Sequence, residues 1–232
     1  MRKSLLRKIL TALALIVLCH GACAQSYPPY KQRDKMGYTG YQYTIFPGTQ
    51  EWKDLDIKTN RYELLQLPQD TLTSISTKRL LETCLYYPMM IDVYGFDNQT
   101  QGFSVVRARF NGFDEFFSRA DAAENLILYY EERNPSRITS FDEDYDRGCY
   151  SHDFVIFELM ISQPEIIFQL ESSQIKSLTK SVLLKIERQF SLQEYYSKVF
   201  IPITANITGR LLLQAGELSQ ESRKKQSINK WL

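Results

Sequence analysis

LQLPQDTLTSISTKRLLETCLYYPMMIDVYGFDNQTQGFSVVRARFNGFDEFFSRADAAENLILYY, residues 65–130, decides the fold. Pro68, Pro88, Gly95 and Asn111-Gly112 cut it into short pieces, and each piece carries apolar residues at a helical spacing. Pro68 suits the first position of a helix ending near Ser74, where its missing N–H costs nothing. Ser76 or Thr77 is expected to cap the next helix. Its stripe is Leu80, Leu81, Cys84 and Leu85, and Pro88 stops it by pushing the residue before it out of the α region. Met89–Tyr94 reads as one more apolar turn, broken by Gly95. Thr100–Phe110 places Phe103, Val106 and Phe110 on one face. Asn111-Gly112 is expected to end that helix, with the glycine in a left-handed C′ position. Phe113–Ser118 makes a short helical turn. Asp121-Ala122-Ala123-Glu124 reads as a capping box opening a helix that buries Ala123, Leu126, Ile127 and Tyr130 and stops at Asn134-Pro135.

The rest of the chain continues the pattern. Residues 134–150 read as a polar loop. Tyr150–Ser162 is almost continuously apolar and is expected to be a helix buried on most sides. Pro164–Leu170 is a short helix. Ile175, Leu178, Val182 and Ile186 then repeat at helical spacing. Ser191-Leu192-Gln193-Glu194 reads as a second capping box, Pro202 as a kink, and Thr204–Ala215 as a helix burying Ile207, Leu211 and Leu212. This predicts an all-α fold, an irregular array of about eight short helices over residues 50–216, because helices this short must stack on neighbours. Stacked helix pairs forming a short superhelix are one such arrangement. Residues 25–49, rich in Tyr, Gly and Pro, are expected to be an irregular aromatic arm turned by Pro47-Gly48. Trp52 is expected to anchor in the core edge, and residues 217–232 to be a polar tail.

The first 24 residues read as a signal peptide. Arg2, Lys3, Arg7 and Lys8 precede an apolar run over 9–19 that is short for a membrane span. Ala22-Cys23-Ala24 supplies the small residues for cleavage after Ala24. A lipoprotein acylated at Cys23 is the weaker reading, because His20 stands where a lipobox carries Leu. Cleavage takes 24 of the 232 residues and four of the 28 basic ones, leaving 24 basic against 27 acidic and a net charge of −3. A weakly acidic chain with no basic stripe excludes nucleic acid as the expected partner. Export to the periplasm or beyond is expected, with an envelope or extracellular protein as partner and no membrane span after cleavage. Cys84 and Cys149 remain. Cys84 sits on an apolar stripe as a small hydrophobe, so the two are expected not to be bridged.

A block of residues carries a family resemblance: Ile45-Phe46-Pro47-Gly48-Thr49, Glu51-Trp52, Leu67-Pro68, Ser76-Thr77, Leu80 and Glu82-Thr83-Cys84, then Tyr87-Pro88, Gly102-Phe103, Phe110-Asn111-Gly112 and Asp121-Ala122. Over about 45–125 the chain resembles a family of uncharacterised secreted proteins from gut-associated bacteria. The resemblance implies secretion and a helical fold, and brings no activity or site residue.

Catalytic patterns are scarce. The chain has no GxSxG, HExxH, P-loop or GxGxxG. Cys149 and His152 are close in sequence, but a nucleophile and its base are normally assembled by the fold; a residue at the border of a buried helix is the plainer reading of His152. Asp142, Asp144, Asp146 and Asp153 fall at positions 1, 3, 5 and 12 of a calcium-type loop. Arg147 stands where such a loop needs Gly, and Asp153 is shorter than the usual Glu. A solvated acidic loop is the plainer reading, and calcium is the one cofactor the sequence suggests. Asp70-Thr71-Leu72 resembles an Asp-Thr-aliphatic O-glycan acceptor, with the first turn of a short helix as the bland alternative. The expected function is therefore a secreted or envelope interaction module without catalytic activity. The alternative is a hydrolase using a carboxylate pair or the Cys149/His152 region.

Overall fold

The computed structural model describes residues 38–56, 58–196, 201, 203–209, 211, 213 and 216. The signal segment with Cys23, the arm before Tyr38, Pro202, Leu212 and the tail from 217 lie outside the described residues. The described residues form helices and no strand. Up to Ser191 the α-helices of the described residues are α1 (Gln50–Lys53), α2 (Gln69–Ser74), α3 (Thr77–Leu85), α4 (Gln99–Arg107), α5 (Asn111–Ser118), α6 (Ala122–Glu131), α7 (Asp144–Ile161), α8 (Pro164–Ile167) and α9 (Ser172–Ser191). Three 3-10 segments join them: Glu63–Leu65, Met90–Gly95 and Pro135–Ser140. Residues 203–209 are also helical.

α7 is the hub. It touches α3, α4, α6, α8 and the Pro135–Ser140 segment. From Tyr150 to Ile161 every residue is buried, as the unbroken apolar run predicts. Around it, α3 packs on α5 and α6, and α4 packs on the Met90–Gly95 turn. A Cβ on Gly102 would fall 2.1 Å from the Val93 carbonyl oxygen, so that approach of two backbones needs glycine. An aromatic block fills the space between α3, α4 and α5. Tyr87 stacks on Phe110 at 4.0 Å, and Phe113 meets the edges of Phe103 and Phe110 at 5.3 and 5.5 Å.

Caps and stops set the helix bounds, but not always those expected. Ser76 caps α3, its hydroxyl accepting the Arg79 N–H at 3.4 Å. At the turn before α1, the Thr49 N–H reaches the Phe46 carbonyl at 3.1 Å with Gly48 at φ 106°, the type II arrangement that demands glycine. Trp52 is buried as expected, with the Arg61 guanidinium 5.2 Å from its ring centroid.

Asn111-Gly112, in contrast, opens α5 instead of closing α4, and Gly112 is not left-handed. Asn111 is held by a distant segment: its side chain accepts the Leu67 N–H and donates to the Leu67 carbonyl, both at 2.9 Å. Gly112 lies against the Phe110 ring, which a Cβ would strike at 2.4 Å. Asp121 makes no capping bond to α6, because its carboxylate is taken by the Thr77 hydroxyl at 2.8 Å and the Asn125 amide at 3.1 Å. The expected box at Ser191 is the last turn of α9. The box that does form is Glu171 with Gln174, at the start of that helix.

The polar loop expected over 134–150 is mostly helical. Asn134 caps the Pro135–Ser140 segment with proline at its first position, and α7 begins at Asp144 with acidic residues in its first turn, where the helix dipole favours them. Along α9 the inner face is Ile175, Leu178, Val182, Lys185 and Gln189, and Ile186 is only half-buried.

Candidate functional site

The feature of chemical interest is a set of ionisable groups inside the fold, carried by α7. His152, Asp153 and Glu158 sit within its buried stretch. Their sequence signal is a charge inside an apolar run, which burial penalises unless a partner is supplied. Each receives its partner from a different element.

His152 Nδ1 lies 2.7 Å from the Tyr94 hydroxyl, on the Met90–Gly95 segment. Burial pushes the imidazole down to about 4, so the ring is neutral at pH 7. One helical turn before it, Cys149 is half-buried on the same helix. Cys84 is wholly buried on α3, and no disulfide joins the two.

Asp153 faces Arg133, which follows α6. Their closest atoms, Oδ2 and Nη2, are 3.7 Å apart. The Tyr86 hydroxyl bridges them, donating to Asp153 Oδ2 at 3.3 Å and accepting from Arg133 Nη2 at 2.7 Å. Burial pushes the Asp153 carboxyl up to about 6, against the opposite pull of Arg133 and Tyr86. Desolvation works against the Arg133 charge, but Tyr86 and Asp153 outweigh it and hold the guanidinium protonated. The guanidinium also lies 5.2 Å from the Tyr129 ring and 5.6 Å from that of Phe157.

Glu158 is wholly shielded from solvent. Its Oε1 accepts the Tyr130 hydroxyl at 3.3 Å, and Oε2 has no hydrogen-bond partner among the described residues. Burial holds this carboxyl well above the usual range, opposed by Tyr130 and by Lys185. Lys185 reaches in from α9. Its Nζ donates to the carbonyls of Glu131 and Arg133 at 3.2 and 2.5 Å and lies 4.9 Å from the Tyr130 ring. These carbonyls lie at the end of α6, where cations are favoured.

The described part of the arm covers this network from the α3 side. The Thr39 N–H and hydroxyl both donate to Glu82 Oε2, at 2.6 and 3.0 Å. Arg79 Nε donates to the Thr39 carbonyl at 2.7 Å, and the Tyr41 N–H to the Thr83 hydroxyl at 2.8 Å. The Tyr38 ring meets the edge of Tyr86, 5.6 Å between centroids.

The four carboxylates of the calcium-type spacing lie in different settings. Asp142 is exposed ahead of α7. Asp144 and Asp146 lie in the first turn of α7, with Asp144 paired to Arg147 at 2.7 Å. Asp153 is buried against Arg133. Among the described residues no group of three His, Cys, Asp or Glu side chains is placed to hold a metal ion.

Two hollows lie side by side, sharing Ile167 and Ile175. One, about 10 Å³, is lined by Ile167, Leu178, Val182 and Leu211 among others. The other is a shallow opening of about 540 Å³ beside Phe168, Glu171 and Ser172. His152, Asp153 and Glu158 line neither. The interior network is therefore arranged as a set of structural contacts with one orphan oxygen among the described residues, and its groups are buried. Sequence reasoning singled out His152 and Asp153 but missed Glu158, Arg133 and Lys185. Glu158 was marked by its place in the apolar run; Lys185 and Arg133 carried no such mark.

Among the described residues no helix is long and apolar enough to cross a membrane. No protein-family model matches the chain, and neither a curated protein nor a solved structure matches it.

Proposed function

We propose that this chain is an exported helical interaction module of the cell envelope or its surroundings, acting by binding another protein and not by catalysis. The observation that carries this reading is the outward face of α9. Leu183 and Phe190 are seven residues apart and so share one side of the helix. Both are exposed, as is neighbouring Leu184 at 56%. Lys176 and Lys180, also exposed, precede Leu183 by seven and three residues on that side. Phe168, just before α9, is 78% exposed. Apolar side chains held outward on a long helix and flanked by lysines suit a partner with an apolar slot and an acidic rim. A hydrolase would need a carboxylate or imidazole within reach of substrate, and Asp153, Glu158 and His152 are committed to interior contacts instead.

Capture from an envelope extract of the native host tests the reading. The wild-type chain is expected to retain a defined partner after crosslinking. Leu184→Glu/Phe190→Glu is expected to lose that partner while melting at the same temperature. Equal capture by both proteins would remove α9 as the binding face.

A further inference from the structure

We propose that Thr71 is an O-glycosylation acceptor. α2 exposes Gln69, Asp70, Thr73 and Ser74 and buries only Leu72. It carries three hydroxyl side chains, and two are committed to its own backbone. Thr73 Oγ1 donates to the Gln69 and Asp70 carbonyls at 3.2 and 3.0 Å, and Ser74 Oγ donates to the Asp70 carbonyl at 2.7 Å. The half-exposed Thr71 is the one whose hydroxyl makes no hydrogen bond among the described residues. Its N–H donates to Asp70 Oδ1 at 2.8 Å, which fixes a carboxylate beside the open hydroxyl. Nowhere else in the chain is Asp followed by Ser or Thr.

The turn that presents this hydroxyl is firmly held. Leu72 is buried beneath it, and Arg119 donates from Nη2 to the Leu72 carbonyl and from Nη1 to the Ile75 carbonyl, at 2.8 and 2.7 Å. These bonds satisfy acceptors that a helix end otherwise leaves open. A transferase would thus meet an acceptor already in place, with Asp70 as the charge it recognises and Leu72 as the residue that sets the orientation. In the reaction Thr71 Oγ1 attacks the anomeric carbon of a sugar carried on a diphosphate. A new carbon–oxygen bond forms, the bond from the anomeric carbon to the phosphate oxygen breaks, and the diphosphate leaves with that electron pair. The hydroxyl proton passes to the transferase's base.

The inference rests on the exported reading of the chain, and one preparation separates the two. In protein purified from the native host, the tryptic peptide 62–78, bounded by Arg61 and Lys78, is weighed and fragmented while the N-terminus is sequenced. The expected result is a saccharide mass increment located on Thr71. It is lost in Thr71→Val and in Asp70→Ala, and kept in Thr73→Ala and Ser74→Ala. An unmodified peptide on a chain beginning at Gln25 overturns the acceptor alone. An unmodified peptide on a chain beginning at Met1 overturns the export reading with it. A phosphate on Thr71, or a sugar on Thr73 or Ser74, also overturns the acceptor.

Discussion

Phe113 and Asp153 are both shut away from water, in neighbouring parts of one interior, and they are held by different physics. Phe113 belongs to the aromatic block of α3, α4 and α5, where contacts are non-directional and indifferent to pH. Asp153 belongs to the ionisable network of α7, where each group depends on one or two named partners and on its proton. Phe113 exchanges water for other rings, and nothing is left over. Asp153 exchanges water for Arg133 and Tyr86 at 3.7 and 3.3 Å, contacts too long to restore all that hydration supplied. Burial alone does not say what holds a region together.

Truncation separates the two most sharply. Phe113→Ala should cost about 3–5 kcal/mol in denaturant unfolding, from lost transfer energy plus the cavity, and the loss should be the same at every pH where the protein folds. Arg133→Met should cost about as much, roughly 3–5 kcal/mol, because it strands the Asp153 charge. Here a second change should repair the first: Arg133→Met/Asp153→Leu should recover most of the loss. If the double variant is no better than the single one, the network is held by shape and not by charge.

The pH profile sharpens the contrast further. His152 titrates at about 4 when folded against 6.5 when free, so its stabilising contribution is complete above pH 6.5 and lost as pH falls through that window. Asp153 runs the other way. Its value is about 6 folded against 3.8 free, so its contribution is complete below pH 3.8 and lost as pH rises towards 6. Glu158, also raised, adds a loss as pH rises above 4.5. Between these limits His152→Asn should make stability fall more steeply with rising pH, by about 1.4 kcal/mol per unit. Asp153→Asn should make it fall less steeply by about the same amount, and Glu158→Gln should shift the slope in that same direction. Unfolding curves across that range check all three, and identical slopes would show that these groups do not titrate with folding.

The smallest effect belongs to the one flaw in the aromatic block. The Tyr87 hydroxyl is buried with no hydrogen-bond partner among the described residues. Tyr87→Phe should therefore be neutral or stabilise by up to about 1 kcal/mol. A clear loss in thermal melting would mean that the hydroxyl has a partner, such as a bound water.

Local signals read well where local physics decides. Leu80, Leu81, Cys84 and Leu85 are all buried, Ser76 caps its helix, and the apolar run from Tyr150 became the central helix. They failed where a distant group competed for the same side chain. Asp121 has the right type and spacing for a cap, but the Thr77 hydroxyl, 44 residues earlier, takes its carboxylate. Asn111-Gly112 looks like a helix stop, but Leu67 recruits the asparagine and turns it into a helix start. The polar loop expected over 134–150 gave way for a local reason: Asp144 and Asp146 lie in the first turn of a helix, whose dipole accounts for acidic residues there.

The amino-acid order by itself determined that this protein is helical, where most helices begin and end, and which stripe of each faces inward. Those properties rest on periodicity and on side chains acting within a turn or two of themselves. Only the tertiary structure decided that Arg133 meets Asp153, that Lys185 turns inward beside Glu158, and that the Thr71 hydroxyl is left open while Thr73 and Ser74 close theirs. A charge becomes tolerable inside a fold, or a hydroxyl available on its surface, according to what other segments bring within about 3 Å, and that is not encoded by spacing along the chain.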